Sequence, residues 1–283
     1  MKNYILVSTA LALLSQTGLI AGEAMVIDES RPLVELVTQL ARKGYLVSYE
    51  EAPYDDAALV VEVRPNGLRY RYPGWRSIKF QLPDQAAPDA EPPAGMLEAF
   101  IKQYRGSGNP GQFASLSDGE YLHVIPAARV SGGVAQKFEP ILSTHVSFVA
   151  EVRSCNDTLS DLFTKIRAVR GVSMVLGISP IRQLILGQCV VLGQDLTARE
   201  ALIQILKQVG AGTIDEANPT RFSWLMMYDA NMDYYVLNTM IVPRDSSIVP
   251  PDSPQIKPAL TPQAPPSSPQ SGSKTVVPIT PVR

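Results

Sequence analysis

The side chains that could do chemistry are few and scattered. Only two histidines occur, His123 and His145. No metal-ligand pattern surrounds either of them, so a zinc site is not expected and both read as strand histidines. No cofactor is expected: the chain has no Walker P-loop, no G-x-G-x-x-G and no G-x-S-x-G element. The run Ser107-Gly108-Asn109-Pro110-Gly111 lacks the lysine of a phosphate cradle. Carboxylates cluster at Glu50, Glu51, Asp55 and Asp56. Two carboxyls about 5–10 Å apart would suit glycoside hydrolysis, but any acidic loop offers that in sequence. The cluster reads as a solvated turn beside a strand, and an exported hydrolase using it ranks last among the readings. The most distinctive stretch is Leu68-Arg69-Tyr70-Arg71-Tyr72-Pro73-Gly74-Trp75-Arg76. Strand alternation puts Arg69 and Arg71 on one face and Leu68, Tyr70 and Tyr72 on the other. Aromatics beside arginines can stack on sugars or bases, so Tyr70, Tyr72, Trp75 and Arg76 are the candidate binding surface. The plainer reading is an amphipathic hairpin with its tyrosines packed inward. Two cysteines, Cys155 and Cys189, could form a disulfide worth ~3 kcal/mol or remain buried thiols, and sequence leaves both open.

The elements that must carry these residues alternate between helix and strand. His145 to Val152 reads as a strand. Leu159, Leu162, Phe163, Ile166 and Val169 share one helical face, and Gly171 follows where a left-handed cap suits glycine. Val172 to Ile178 and Leu184 to Leu192 read as strands. Thr197-Ala198-Arg199-Glu200 is a capping box opening a helix whose face is Ala201, Leu202, Ile205, Leu206 and Val209, closed by Gly210. Phe222 to Tyr228 and Tyr234 to Ile241 read as a hairpin. The order is β-α-β-β-α-β-β. The first half follows the same order: a strand at Met25 to Asp28, then a helix capped by Ser30 with Pro32 in its first turn. Next come a strand at Leu46 to Tyr49, a helix from Met96 to Tyr104, and a hairpin from Phe113 to Ile125 turning at Asp118-Gly119. Leu59 to Val63 and Leu68 to Tyr72, around Pro65-Asn66-Gly67, look like an inserted hairpin. The expected fold class is therefore α+β, with two β-α-β-β-α-β-β-like units that could be an internal repeat.

The flanks differ in kind. Met1-Lys2-Asn3 and the uncharged run Tyr4 to Ile20, followed by small residues at Ala21, Gly22 and Ala24, have the form of a Sec signal peptide. Residues 1–24 are expected to be the signal, 25–140 the first unit, 141–242 the second and 243–283 a disordered proline-rich tail. Pro250, Pro251, Pro254, Pro258, Pro262, Pro265, Pro266 and Pro269 set the character of that tail. No later apolar run is long enough to span a bilayer. The 283 residues carry a formal net charge of −2, which gives no footprint for nucleic acid.

The second unit resembles the short N-terminal signalling domain of secretins and TonB-dependent transporters. The resemblance lies in Thr158-Leu159-Ser160-Asp161-Leu162-Phe163, the strand from Gly171, Asp195-Leu196-Thr197-Ala198-Arg199-Glu200-Ala201-Leu202, and the strands Phe222-Ser223-Trp224 and Tyr234-Tyr235-Val236-Leu237. It covers about the last third of the folded region. The family places this domain ahead of a membrane barrel or secretin core, which is not expected in these 283 residues, and the stretch from Gly210 to Phe222 is longer than that pattern. The resemblance implies a periplasmic interaction module and transfers no functional residue. The expected function is thus a non-catalytic envelope module, periplasmic or secreted. Its expected partner is an envelope protein, such as an outer-membrane or secretion component. The alternative is an envelope glycan or peptidoglycan held by the Tyr70–Arg76 hairpin.

Overall fold

The computed structural model describes residues 24–27, 31–54, 59–63, 65–74, 76–81, 95–131, 134–191, 193–211 and 219–244. All lie in a compact unit that ends at Val249, and a second unit, Pro250–Arg283, lies outside the described residues. The proposed signal segment and the tail beyond Arg244 therefore have no structural account. The fold class is α+β.

In the first half, β1 (Ala24–Ile27) leads into α1 (Pro32–Arg42). Proline is well placed at the first helical position because its missing N–H has no partner there anyway. The N-cap is Arg31, not Ser30, and its side chain is committed elsewhere. Leu33, Leu36, Val37 and Leu40 form the buried face of α1, the spacing the sequence shows. Strand β2 (Val47–Glu50) follows, then the hairpin β3 (Leu59–Val63) and β4 (Arg69–Pro73). Next come β5 (Ile78–Gln81), α2 (Met96–Gly106), β6 (Gln112–Asp118), β7 (Tyr121–Ser131) and β8 (Val134–Lys137). A 3-10 turn at Ile141–Ser143 leads into the second half.

The second half runs β9 (His145–Phe148), β10 (Arg153–Ser154), α3 (Cys155–Arg170) and β11 (Ser173–Leu176). Then follow α4 (Ile181–Leu186), β12 (Gln188–Cys189), β13 (Gly193–Thr197), α5 (Ala198–Ala211), β14 (Arg221–Asp229) and β15 (Tyr234–Val242). The capping box is made: Thr197 Oγ1 accepts from Glu200 N at 3.2 Å, and Glu200 Oε2 accepts from Thr197 N at 2.7 Å. Two further expectations are corrected. Leu184 to Leu192 is not one strand: its start lies in α4, because Pro180 precedes a turn whose Leu184 alone is buried. Strands β5 and β8 carry too few apolar residues for periodicity to reveal them. Gly210 lies inside α5 and does not end it. A Cβ there would stand 2.0 Å from the Thr220 carbonyl oxygen, so glycine is required by the close approach of the chain entering β14.

The strand pairings show the same connectivity twice. In the first half β1 pairs antiparallel with β5 as a small sheet, β2 pairs parallel with β7, and β6 pairs antiparallel with β7. In the second half β9 pairs antiparallel with β13, β11 pairs parallel with β15, and β14 pairs antiparallel with β15. The helices α1 and α2 pack against β1, β2, β5 and β6; α3 and α5 pack against β9, β11, β13 and β14. The halves then share one large sheet, ordered β11-β15-β14-β2-β7-β6, with β8 extending beside β7. The joint between them is the parallel pair β14–β2, in which Leu225 lies opposite Tyr49 and Met226 opposite Glu50. The strands before and after residue 140 thus repeat one pairing pattern, and they are joined in a single sheet within one compact unit.

The joint also places the two sets of helices on opposite faces of that sheet. Tyr49 points to the side of α2, where Phe113 packs between Tyr49 and Tyr104. Glu50 points the other way, to Arg199 at the start of α5. A strand presents successive side chains to opposite faces, so helices cover the joint from both sides. Trp224, Leu225, Met226, Val47 and Tyr49 are accordingly all buried.

Candidate functional site

The acidic cluster is where structure departs furthest from expectation. Glu50 and Glu51 are both 0% exposed, not a solvated turn; Asp55 and Asp56 lie outside the described residues. Glu51 Oε1 accepts from Arg31 Nε at 3.0 Å, Tyr49 OH at 3.0 Å and Tyr54 OH at 2.5 Å. Its other oxygen accepts from Tyr228 N at 2.9 Å, and Arg31 Nη2 donates to Tyr228 O at 2.9 Å. The ion pair therefore acts as one more rung of the β2–β14 joint, serving both backbone groups of Tyr228. Burial, then the Glu51 charge, push the phenols of Tyr49 and Tyr54 well above their ordinary range. They remain hydrogen-bond donors. Burial, the largest single influence, pulls the Arg31 guanidinium down, but the Glu51 carboxylate together with the Tyr54 and Tyr49 phenols outweighs it and the net direction is up.

Glu50 faces the opposite side, where Arg199 Nε donates to its Oε1 at 2.8 Å. Burial raises its carboxyl above the ordinary value, against the opposing pull of Arg199 and of the Leu142 backbone N–H. Glu51 is satisfied on both oxygens, whereas Glu50 is paired with Arg199 through Oε1 and its buried Oε2 makes no hydrogen bond of ordinary geometry. Neither carboxylate has exposed atoms for a substrate to meet. Their arrangement is a seam between the halves.

Beside Glu50, Ser48 and His123 are cross-strand neighbours, and Ser48 Oγ lies 2.6 Å from His123 Nδ1. Asp118 Oδ2 is 4.0 Å from the other ring nitrogen. The constellation has the residue types of a nucleophilic triad. Ser48 and His123 are nevertheless fully buried, with the His123 ring stacked on Tyr121 and tilted against Trp224, so no substrate reaches the hydroxyl. Burial, with a smaller contribution from the Arg199 charge, lowers the His123 pKa to about 3.

This sets a pH dependence. The unfolded chain takes up a proton at His123 near pH 6.5, and the folded one does so only near 3. The stability from keeping His123 neutral is full above 6.5 and falls by about 1.4 kcal/mol per pH unit below it. Glu50, raised in the folded state, has the opposite sign: its contribution is present below 4.5 and is lost as pH rises through its folded value. Urea unfolding at pH 7.5 and 5.5 should therefore show a larger loss for the native chain than for His123→Gln. Equal losses would mean that His123 is not held neutral.

The Tyr70–Arg76 stretch is held at two points by asparagine side chains acting as short strand partners. Asn231 Oδ1 accepts from Arg71 N at 2.9 Å while its amide donates to Arg71 O at 3.2 Å. Asn109 makes the same pair with Arg76, at 2.6 Å and 3.0 Å. Of the candidate surface, Tyr70 is half-buried on β4, and Arg76 is exposed with its guanidinium over Gly108. The side chain of Tyr72 and all of Trp75 lie outside the described residues.

Another surface was not singled out from sequence. Ile178, Ile181, Ile185 and Leu186, in and before α4, are 43%, 53%, 53% and 67% exposed. Both ends of this segment are fixed. Asn238 Oδ1 accepts from Ile178 N at 2.6 Å. Cys189, three residues past α4, is disulfide-bonded to Cys155 with Cα atoms 5.0 Å apart. The apolar run Leu184 to Leu192 read as a strand, and only the fold shows that its start lies in α4, which buries Leu184 and turns Ile185 and Leu186 outward.

Elsewhere, His145 Nδ1 lies 3.0 Å from Asp195 Oδ1 in an exposed pair. Among the described residues no group of three or more His, Cys, Asp or Glu side chains could hold a metal. Nor is any helix there long and apolar enough to cross a membrane. No family model, curated protein or solved structure matches this chain.

Proposed function

We propose that this chain is an exported, non-catalytic protein-docking module of the cell envelope, and that its docking face is the aliphatic surface of α4. The observation that carries the reading is the exposure of Ile181, Ile185 and Leu186 on a segment anchored by a disulfide at one end and by Asn238 at the other. Exposed aliphatics on a fixed frame suit a partner's apolar side chains, since little conformational entropy is lost on binding. The disulfide fits an oxidising compartment, as does the signal-like N-terminus. The resemblance of residues 141–242 to secretin and TonB-transporter signalling domains supports an envelope protein, an outer-membrane or secretion component, as the partner. The burial of Glu50 and Glu51 favours a structural over a hydrolytic role for them.

The test is capture from detergent-solubilised envelope of the source cell, with the native chain and Ile181→Asp/Ile185→Asp as paired baits. The native chain should enrich an outer-membrane or secretion component, and the variant should lose it while keeping the native circular dichroism. Equal retention by both baits, or none by either, would overturn the reading. A second reading, an envelope glycan at Tyr70, Tyr72, Trp75 and Arg76, is favoured by the two asparagine clamps on that segment. Native chain and Trp75→Ala on a glycan array decide it, and equal or absent retention removes it.

A further inference from the structure

The joint between the two halves leaves complementary edges at the ends of the large sheet. By the duplicated connectivity, β2 corresponds to β11 and β6 to β14. Inside the chain, the β2 edge of the first half pairs with the β14 edge of the second. What remains, at opposite ends of the sheet, are the β11 edge of the second half and the β6 edge of the first. Among the described residues no strand covers either edge. We propose that β11 of one chain pairs with β6 of a second copy, repeating the internal joint, and that the chain thereby assembles head to tail.

The backbone directions agree with this pairing. In a ladder, alternate residues turn both N–H and C=O to alternate sides. Leu122 N donates to Leu46 O, so the even-numbered residues of β2 face β7, and Val47 and Tyr49 face β14. Gly177 N donates to Leu237 O, so Ser173 and Val175 face β15, and Met174 and Leu176 face outward. Matching the hairpins by their closing pairs, Asp118–Tyr121 and Asp229–Tyr234, makes Leu176 the counterpart of Tyr49 and Ala114 the counterpart of Leu225. Leu122 turns toward β2, so its partner Ser117 and, two residues on, Ser115 present their N–H and C=O to the free side of β6. Phe113, Ser115 and Ser117 thus stand where Trp224, Met226 and Tyr228 stand in the joint. The expected register sets Ala114 opposite Leu176, with Leu176 N donating to Phe113 O and Ser115 N donating to Leu176 O.

The geometry also says how such an assembly would grow. Although β6 runs antiparallel to β2, its counterpart β14 runs parallel to it. One half is therefore turned over relative to the other about the direction of the inter-strand hydrogen bonds, which is why the helices lie on opposite faces. Repeating that turn brings the next chain back to the orientation of the first, displaced along the sheet. The contact is heterologous and gives an open, twisted filament and not a closed pair.

Two features keep this contact weaker than the internal one. The ion-paired Glu50 and Glu51 have Gly177 and Ile178 as their counterparts, so the charged clamps are missing. Arg105 Nη2 already donates to Phe113 O at 2.6 Å, on the outward side of β6. Association should therefore be reversible and concentration-dependent, and Arg105 acts as a guard on the edge, a common protection of exposed strands.

This inference goes beyond the docking reading, and its test contains this chain alone, so its failure leaves that reading standing. Sedimentation velocity of the mature chain over a concentration series should show average mass rising past two chains. Proline tolerates an edge position whose N–H points away from the sheet. Ser115→Pro should thus keep its circular dichroism and weaken association about tenfold or more, the loss expected of a main-chain bond at the contact. Leu176→Pro should do the same, and Arg105→Ala should strengthen association. Mixed together, the two proline variants should form a 1:1 pair and stop, because each retains the edge the other lacks. Should Leu176→Pro not fold, Val175→Lys replaces it as the β11 block. A chain that stays monomeric throughout, including Arg105→Ala, would overturn the proposal. So would a dimer that Ser115→Pro leaves intact, since that would be a symmetric β11–β11 contact.

Discussion

Replacing Glu51 by glutamine should destabilise the fold by about 3–5 kcal/mol, the largest effect expected of a single substitution in this chain. Glutamine has nearly the same shape, so packing is kept and the charge alone is removed. Arg31, whose side chain is 9% exposed, would then be a cation in a low-dielectric site with no counter-charge, and that desolvation is what costs. The hydrogen bonds weaken as well, because a carboxylate accepts from Arg31, Tyr49, Tyr54 and Tyr228 more strongly than an amide does. Since the pair serves the backbone of Tyr228, the loss falls on the β2–β14 joint. Chemical denaturation of Glu51→Gln, Arg31→Met and the double variant checks this. The double variant should recover at least half of the loss, because it buries no unpaired charge. If Glu51→Gln costs less than about 1 kcal/mol, the carboxylate is no structural centre and a chemical role for it would have to be reconsidered.

The second large effect is expected at Cys155 and Cys189. Their disulfide closes a separation of 34 residues, which by loop entropy restricts the unfolded chain by about 3–4 kcal/mol. Both sulfurs are fully buried, so alanine is the apt replacement; serine would bury a hydroxyl in an apolar site. Cys155→Ala/Cys189→Ala should lower the denaturation midpoint, and reduction of the native protein should lower it by a similar amount. The bond ties the start of α3 to the strand after α4, so partner capture through Ile181 and Ile185 should weaken with it. A native chain whose midpoint is indifferent to reductant would contradict this account.

How far the fold was legible can be argued from particular elements. The faces of α1, α2, α3 and α5 follow from apolar spacing near 3.6 residues, and the Thr197–Glu200 box locates the start of α5. The hairpin β3–β4 is marked by Asn66-Gly67, and β6–β7 by Asp118-Gly119. Period and turn chemistry are local, so sequence carries them. α4 was missed because a short apolar run has no period long enough to tell helix from strand. The strand β5 was missed because four residues, two of them polar, give too little signal.

The site was far less legible than the fold. Glu50 and Glu51 look in sequence like any acidic turn, since their partners are remote: Arg199 is 149 residues from Glu50, and Tyr228 is 177 from Glu51. Ser48 and His123 lie 75 apart. The sequence by itself determined the α+β class, the helix faces and the three hairpins β3–β4, β6–β7 and β14–β15, all from neighbouring residues. Tertiary structure alone decided that the halves share one sheet through β14–β2, that the paired carboxylates are buried in that joint, and which edges stay open. Those outcomes depend on which strands meet across the molecule, and the energy of desolvating a charge or leaving a backbone group unpaired is set by where the chain folds, which no local pattern encodes.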